Sequence, residues 1–377
     1  MKNSTIQLPE GQSFNDHLKN VLVRDLKDGL EELYPIPARF SVMNKDTRLW
    51  RFDKGSSRFY YSPDKKMFFP SQTTIQSKTL PTGTFLQEWI DNMGGLEAAN
   101  AYRDERGYFG TLEHIVQTEF LVLGGMDLST VPDIVRMYRS IHELYNYNVK
   151  SWSIELTKDL SSFAQWAYDF KIEPIAVEIP ITYPIKWRNG REILWIAGTI
   201  DLVAKITYSK KGFWGERYKS GENKGRPKQT YAEVTEIAVI DYKSGKKGFY
   251  KGHEIQVDSY LMGWNHFCKR NGFEEYSAVS CWNYAPKDST GAVPTYSFVN
   301  QTGKRGREYM PHLTKIFMID GSHIVKDVRD VSGVIKFGES AENNVVLMDA
   351  GKYLEQQYER KQEEGEAPDF PFLERTD

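Results

Sequence analysis

The feature that most constrains the fold is a pair of alternating segments that flank the dipeptide Asn189-Gly190. Apolar and polar residues alternate from Ile175 to Trp187 and again from Ile193 to Ile206, and a period of two is typical of β-strands. Asn-Gly fits the tight type I′ turn that joins two antiparallel strands. The sequence therefore predicts a β-hairpin with two long arms over residues 174 to 206, and the rest of the chain has to fold around that sheet.

Two apolar, β-branched runs each carry an acidic residue. Asp201 lies in the second arm of the hairpin, and Asp241 ends the run Ile-Ala-Val-Ile just before Tyr242 and Lys243. Because residues i and i+2 share one face of a strand, Asp241 and Lys243 point the same way, and Asp201 joins them if the two strands pair. Converging carboxylates make an oxygen site suited to Mg²⁺ or Mn²⁺, and a neighbouring lysine can orient water. The alternative is that both acids end strands at turns and that Lys243 is a solvated neighbour.

Glu178 lies on the first arm of the predicted hairpin. Counted outward from the turn, Glu178 and Asp201 fall at matching positions, so their carboxylates can approach each other. Two interpretations stay open. Glu178 is either a ligating or supporting carboxylate, or a charge exposed on a strand.

The order of these residues resembles the motif order of the PD-(D/E)XK nuclease superfamily and, within it, the RecB-type exonuclease branch. That branch carries the motifs G-x-x-D, D-x-K and Q-x-x-x-Y, which match Gly198 and Asp201, Asp241 and Lys243, and Gln256 and Tyr260. A histidine in a Gly-x-x-x-His context that opens a helix precedes them, as Gly110 to His114 do here. The matched region runs roughly from Phe69 to Tyr284. The resemblance rests on scattered motifs in the right order, so it bears on fold and chemistry more than on biological role.

The resemblance implies an α/β fold with a restriction-endonuclease-like core, in which helices flank a mixed central sheet. An N-terminal helical and β extension over residues 1–107 and a C-terminal helical cap with an acidic tail over residues 301–377 would surround a nuclease core at residues 108–300. The implied activity is metal-dependent hydrolysis of DNA, as an exonuclease in recombination, repair or replication. Helicases, recombinases and single-strand-binding proteins are the implied protein partners.

The resemblance also implies a role for each matched residue. The implied ligands of Mg²⁺ or Mn²⁺ are His114, Asp201, Asp241 and the backbone carbonyl of Tyr242. Lys243 would position the attacking water and stabilise developing negative charge. The implied catalytic set is completed by Glu178, Gln256 and Tyr260. Without the motif order, His114 reads as an ordinary helix residue and Tyr260 as a core residue.

A polar, glycine-rich segment from Tyr208 to Thr235 separates the two acids by more than the spacing common in the superfamily. We interpret it as a loop inserted at the hairpin that joins their strands. Its aromatic residues are interleaved with basic ones, namely Lys210, Lys211, Arg217, Lys219, Lys224, Arg226 and Lys228. Such a loop beside the site can hold a DNA backbone and stack bases, or it can be a mobile, solvated loop.

The composition of the chain limits the kinds of binding site and cofactor that the protein can have. The formal net charge of −2 provides no global basic field, so a nucleic-acid site has to be a local patch. Several RecB-type nucleases carry an iron–sulfur cluster held by four cysteines, which the two cysteines here, Cys268 and Cys281, cannot supply. These thiols are expected to be buried structural residues. The chain has no apolar run of membrane-spanning length and no secretory leader, which predicts a soluble intracellular protein, cytoplasmic if bacterial or from a phage.

Periodicity elsewhere predicts further elements. They are helices at 13–34, 86–90, from Gly110 onward, at 131–147, 152–171 and 253–270, and from Glu339 onward, a β-rich region at 38–70, and strands at 276–284 and 295–299. Pro70-Ser71-Gln72-Thr73-Thr74 resembles a Pro-Ser-x-Thr stretch that precedes the histidine helix in RecB-type relatives. Two other functions stay open: a DNA-binding or assembly subunit that keeps the fold without cutting, and an RNA-directed nuclease.

Overall fold

The computed structural model describes residues 30–33, 49–54, 57–62, 67–80, 85–187, 189–244, 248–287 and 294–319. The first sheet is antiparallel and follows chain order, with strands β1 Leu30–Leu33, β2 Leu49–Lys54, β3 Ser57–Ser62 and β4 Met67–Pro70. The β-rich region expected at 38–70 is confirmed where it is described. The helix expected at 13–34 is wrong at its end, because residues 30–33 pair with β2, and pairing with a distant strand overrides helical propensity. The rest of that helix lies outside the described residues.

A helical region follows the small sheet. Its helices are α1 Gln72–Thr79, α2 Phe85–Asn92, α3 Leu96–Leu123, α4 Val131–Ile141 and α5 Val149–Asp169, with a short 3-10 turn at Leu128–Thr130. The helix expected to open after Gly110 instead begins at Leu96. The stretch before Gly110 contains no proline, so the helix continues through the glycine.

The second sheet has five strands in chain order. They are β5 Glu173–Lys186, β6 Glu192–Arg217, β7 Pro227–Tyr242, β8 Ser280–Pro286 and β9 Tyr296–Asn300. Neighbouring strands are antiparallel except β7 and β8, which are parallel. The hairpin of β5 and β6 is confirmed, but its turn is longer than the expected two-residue type I′ turn. Trp187 pairs with Arg191, and Gly190 donates its N–H to the Trp187 carbonyl with a φ of 81°.

Helices cover both faces of this sheet. The parallel pairing of β7 and β8 requires a crossover, which α6 (Lys251–Asn271) supplies. On one face, Trp264 of α6 packs with the sheet residues Ile181 and Val239, and α7 (Gly306–Ile319) joins the same core through Phe317. On the other face, α5 packs against the sheet. The expected α/β architecture, a mixed sheet flanked by helices, is therefore confirmed. The C-terminal helix expected from Glu339 lies outside the described residues.

The segment expected to be an inserted loop is instead an extension of two strands. Strands β6 and β7 continue together as far as the pair Arg217 and Pro227, and only a short turn joins them. We call residues 208–235 the β6–β7 ribbon. A two-stranded ribbon extending beyond the sheet satisfies the backbone hydrogen bonds that a long loop would leave to water. The interpretation as a loop was therefore wrong.

Cys268 and Cys281 are buried free thiols, as expected, and burial raises the pKa of each to about 12. They therefore stay protonated and unreactive at neutral pH. Within the described part of the chain, no helix combines the length and the apolar character needed to cross a membrane.

Candidate metal centre

Three side chains from three different elements converge beside the β5–β6 hairpin. His114 of α3, Glu178 of β5 and Asp201 of β6 each offer a ligand atom, and these atoms lie within 4.8 Å of one another. Each of the three residues is partly exposed, so the group is open to solvent. Two carboxylates and an imidazole at this spacing fit the donor preferences of a divalent ion such as Mn²⁺ or Mg²⁺.

Glu178 reaches this site through an unusual backbone conformation. Its φ is 49°, in the left-handed region, although it lies inside a strand. Val177 belongs to the core on the α5 side, whereas Ile179 belongs to the core on the α6 side. Residues two apart normally share a face, so the alternation of β5 reverses at Glu178. Backbone strain of this kind is often found at functional sites.

The alternation of side chains between the two faces of the sheet also reverses in the partner strand, β6, at the position opposite Glu178. Ile200 lies in the core on the α6 side and Leu202 in the core on the α5 side. The register pairs Val177 with Leu202 and Ile179 with Ile200, which places Glu178 opposite Asp201. Both carboxylates therefore stand where the hairpin changes faces.

Asp241 lies across β6 and β7 from Asp201, because the register pairs Ile240 with Leu202. Its side chain is 1 % exposed, and its Oδ2 accepts hydrogen bonds from Lys243 Nζ and Asn283 Nδ2, both at 2.8 Å. Gln301 Nε2 in turn donates to Asn283 Oδ1 at 2.9 Å. Asp241 is not one of the three residues whose ligand atoms converge, so the expected ligand set of His114, Asp201 and Asp241 differs from this group by the exchange of Asp241 for Glu178.

Asn283 was not identified from the sequence. It lies in β8, directly beside Asp241 in the parallel pairing, and it is completely buried. The available signal was an amide side chain inside the apolar run Cys281 to Ala285. A buried amide needs hydrogen-bonding partners, and here it holds the aspartate in place.

Burial raises the pKa of both Asp201 and Asp241 to about 6. The positive charge of Lys243 lowers the pKa of both aspartates and so opposes the effect of burial. The backbone N–H of Tyr242, which donates to Asp201 Oδ2 at 2.7 Å, also lowers the pKa of Asp201. The negative charge of Asp201 raises the pKa of Asp241 further. Neighbouring carboxylates with raised pKa values would gain from a bound cation.

The expected position of Lys243 beside Asp241 is present. Lys243 Nζ contacts Asp241 Oδ2 and donates to Gln256 Oε1 at 3.0 Å, and its backbone N–H donates to the Tyr284 carbonyl at 2.8 Å. A lysine ammonium has three N–H donors. Two of them are directed by these contacts.

Glycines let the motif segments approach one another. A Cβ atom at Gly198 would lie 2.6 Å from Tyr260 Cε1, so the glycine lets the tyrosine ring lie against β6. Gln256 Nε2 contacts the hydroxyl of the same tyrosine at 3.5 Å. A Cβ atom at Gly110 would lie 2.8 Å from Ser244 Oγ, so this glycine brings α3 close to the end of β7. Tyr260 is thus a buried core residue that also contacts a motif residue.

His114 follows Gly110 by one helical turn, and its ring lies 5.9 Å from the Tyr242 ring. The side chain of Tyr242 is buried on the α5 side, between Phe163 and Trp166. Tyr242 therefore contacts the site through its ring, against His114, and through its backbone N–H, which donates to Asp201. The role of its carbonyl as a ligand stays a prediction.

The basic residues expected beside the site are distant from it. Lys210 is nine residues beyond Asp201 on one strand, which corresponds to about 30 Å along β6. The remaining basic residues, Lys211, Arg217, Lys219, Lys224, Arg226 and Lys228, lie farther along the β6–β7 ribbon or back along β7. Arg217 donates to the Gly225 carbonyl, and Lys228 pairs with Glu216 at 3.8 Å. The expectation that these residues adjoin the site was wrong.

Fold and site together define an α/β protein with a candidate divalent-cation centre beside the β5–β6 hairpin of a mixed sheet. No family model matches the chain, and no curated protein matches it in sequence.

Proposed function

We propose that this chain is a divalent-metal-dependent phosphodiesterase that cleaves DNA and has a restriction-endonuclease-like core. The observation that supports this most is the convergence of His114, Glu178 and Asp201 within 4.8 Å, in a chain whose motif order resembles the RecB-type nucleases. The cluster supplies a site that suits a divalent ion, and two of its three residues, His114 and Asp201, belong to the motifs that carry the resemblance.

His114, Glu178 and Asp201 would hold the ion, with Asp241 close behind Asp201. An ion bound there supplies positive charge that polarises a phosphoryl oxygen and makes water a stronger nucleophile. The raised pKa values of Asp201 and Asp241 mean that protons compete for these carboxylates near pH 6.

Lys243 would bind a non-bridging phosphate oxygen or the attacking water. Asp241 and Gln256 each engage the ammonium, so its position is fixed before substrate arrives. Its side chain is 20 % exposed, enough to reach a bound phosphate while most of the stem is enclosed. A fixed charge that meets charge developing in the transition state lowers the barrier without reorganisation.

The β6–β7 ribbon would contact the DNA away from the cleaved bond. It carries seven basic residues against three glutamates in a chain with a net charge of −2. Phosphate contacts of this type add affinity without sequence preference. The proposed substrate is DNA cut from an end, and RNA is the competing substrate.

A cleavage assay tests the proposal directly. End-labelled single-stranded DNA, double-stranded DNA and RNA are incubated with Mg²⁺, with Mn²⁺ or with chelator. We expect metal-dependent cutting of DNA that Lys243→Ala and Asp241→Asn reduce by about 10²-fold or more, with retained DNA binding. Lys205→Ala is the matched control, since Lys205 is an exposed lysine four residues after Asp201 on β6.

Three outcomes would change the assignment. Wild-type cleavage by Lys243→Ala would remove that residue from the mechanism. Binding of DNA without cutting under all metals would favour a non-cutting DNA-binding subunit. Preferential cutting of RNA would make the protein an RNA-directed nuclease.

A further inference from the structure

The buried side chain of Gln72 connects the stretch Pro70 to Thr74 with the helix that carries Gln256. Gln72 is 0 % exposed and is the first residue of α1. Its Nε2 donates to the carbonyl of Ile255 at 3.3 Å and to that of Gln256 at 3.0 Å. A helix carbonyl that accepts the helical N–H still has a second lone pair. These contacts use that lone pair to fix the early turns of α6 from outside.

The orientation of the Gln72 amide is set at its other end. Tyr183 Oη donates to Gln72 Oε1 at 2.9 Å and also contacts Ser259 Oγ at 2.9 Å. Because the hydroxyl proton of Tyr183 goes to the amide oxygen, the NH₂ group has to face α6. The contacts of Gln72 with Tyr183 and with the Ile255 carbonyl are buried, so a misplaced amide would leave polar groups unsatisfied.

The same stretch also holds the strand that carries Asp201. Ser71 forms a parallel bridge with Ala197, the residue before Gly198. In β3, Tyr60 Oη contacts Thr199 Oγ1 at 3.1 Å. The stretch therefore joins β6 to α6, the two elements whose motif residues meet at the candidate site.

We propose that Gln72 is a positioning residue for the reaction. It acts through Gln256, because holding the α6 backbone at residues 255 and 256 places Gln256 Oε1 where it accepts from Lys243 Nζ at 3.0 Å. Without that restraint the ammonium keeps Asp241 but loses its second fixed contact. This inference rests on the proposed nuclease function.

A double-mutant cycle tests it. In Gln72→Leu we expect kcat to fall about tenfold with KM within about twofold, because orientation is lost and substrate binding is kept. In a Gln256→Ala background the same change should cost nothing further, since the residue through which Gln72 acts is gone. Equal losses in both backgrounds would overturn the proposal and make Gln72 a core residue only. Gln72→Asn, whose shorter amide cannot reach the carbonyls, serves as the second variant if Gln72→Leu does not fold.

Ser259→Ala is the matched control. It removes the buried contact with Tyr183 Oη but keeps the hydrogen bond from Tyr183 Oη to Gln72 Oε1 that orients the amide, so we expect a lower melting temperature with kcat within about twofold. A tenfold loss in this variant would show that kcat follows general core stability.

A second readout does not depend on cleavage. The side-chain amide signal of Gln256 in a ¹⁵N spectrum, assigned with Gln256→Ala, should move towards free-amide values in Gln72→Leu. If the wild-type protein cuts nothing, the proposed function fails, while this signal still tests the restraint. An unmoved signal would overturn the restraint itself.

Discussion

Glu178 faces Asp201 across the β5–β6 hairpin with a backbone φ of 49°. A residue with a Cβ atom loses about 1–2 kcal/mol of conformational free energy when its backbone lies in the left-handed region. This cost accompanies the reversal of strand faces that brings both carboxylates towards His114. The strain and the proposed ligand role therefore belong to the same residue.

The first prediction separates these two properties of Glu178. Glu178→Gly and Glu178→Ala both remove the carboxylate, so both should weaken Mn²⁺ binding. In chelator, however, the glycine variant should be more stable than the alanine variant by about 1 kcal/mol in urea unfolding, because only glycine tolerates the positive φ. Thr182 is the control position, because it lies on β5 as Glu178 does and pairs regularly with Ala197 of β6. There the alanine variant should be more stable than the glycine variant. Alanine more stable than glycine at both positions would contradict the strain.

The second prediction concerns pH and stability without metal. The folded pKa of Asp201 is raised from 3.8 to about 6 by burial, so the folded state binds more protons between these values, and ionisation of Asp201 opposes folding. The free energy of unfolding in chelator should therefore fall as the pH rises from about 4 to about 7. Asp201→Asn should recover about 1–3 kcal/mol at pH 7.5 and nothing near pH 4.

Urea unfolding in EDTA across that range measures the effect. Asp241→Asn is the comparison, and we expect a smaller gain, because the change also takes the carboxylate partner from Lys243. A pH-independent difference between wild type and Asp201→Asn would contradict the prediction.

The third prediction concerns the choice of metal. Nitrogen is a softer donor than carboxylate oxygen and suits Mn²⁺ better than Mg²⁺. Cleavage at limiting metal should therefore be faster with Mn²⁺, and His114→Ala should weaken Mn²⁺ binding and reduce that preference. His312→Ala, a change at an exposed histidine of α7, is the control. Equal Mn²⁺ affinity of wild type and His114→Ala in titration calorimetry would return His114 to an ordinary helix residue.

The fourth prediction concerns the β6–β7 ribbon, which should add affinity and no chemistry. If three of its lysines contact phosphates, their replacement by glutamine should reduce the slope of log K against log salt by about 2 to 3. The substituted residues are Lys211, Lys219 and Lys224, and the control set is the exposed lysines Lys150, Lys158 and Lys269. DNA binding is measured at several salt concentrations with both sets of substitutions placed in the Lys243→Ala protein. If the two sets give the same slope of log K against log salt, the ribbon has no role in binding DNA.

The fifth prediction concerns the contact between Gly198 and Tyr260. Gly198→Ala would place a methyl group 2.6 Å from the tyrosine ring, so the strand or the ring has to move. We expect a loss of about 1–3 kcal/mol in the free energy of unfolding, together with slower cleavage, since Tyr260 contacts Gln256. Gly252→Ala, where the nearest atom would be 3.7 Å away in helix α6, should be neutral or stabilising. Equal effects of the two substitutions would show that the close approach at Gly198 does not matter.

Much of the local structure could be predicted because it depends on neighbouring residues. The hairpin around Asn189-Gly190 and helix α6 follow from periods of two and of 3.6 residues, and both are present. The side-by-side placement of Asp241 and Lys243 follows from the pleat of one strand. The approach of Glu178 to Asp201 followed from counting outward from the turn, although the turn is longer than expected.

The wrong predictions concern segments whose structure is determined by contacts with distant parts of the chain. Residues 30–33 have a helical pattern but pair with β2, and the polar residues of the β6–β7 ribbon resemble a loop but continue two strands. The reversal of faces at Glu178 depends on a left-handed backbone conformation. A glutamate does not indicate that conformation in a sequence, whereas a glycine would. Asn283 reaches Asp241 only because β8 returns parallel to β7.

The sequence by itself determined which residues could carry chemistry and which strands and helices hold them, because alternation, helical spacing and motif order are properties of the chain alone. The tertiary structure decided which of those residues meet. His114 and Asp201 are 87 positions apart, and their approach depends on strand register and on how closely α3 packs against the end of β7 at Gly110. Register and close packing are set by contacts between distant segments, so Glu178, and not Asp241, lies with His114 and Asp201 in the candidate metal centre.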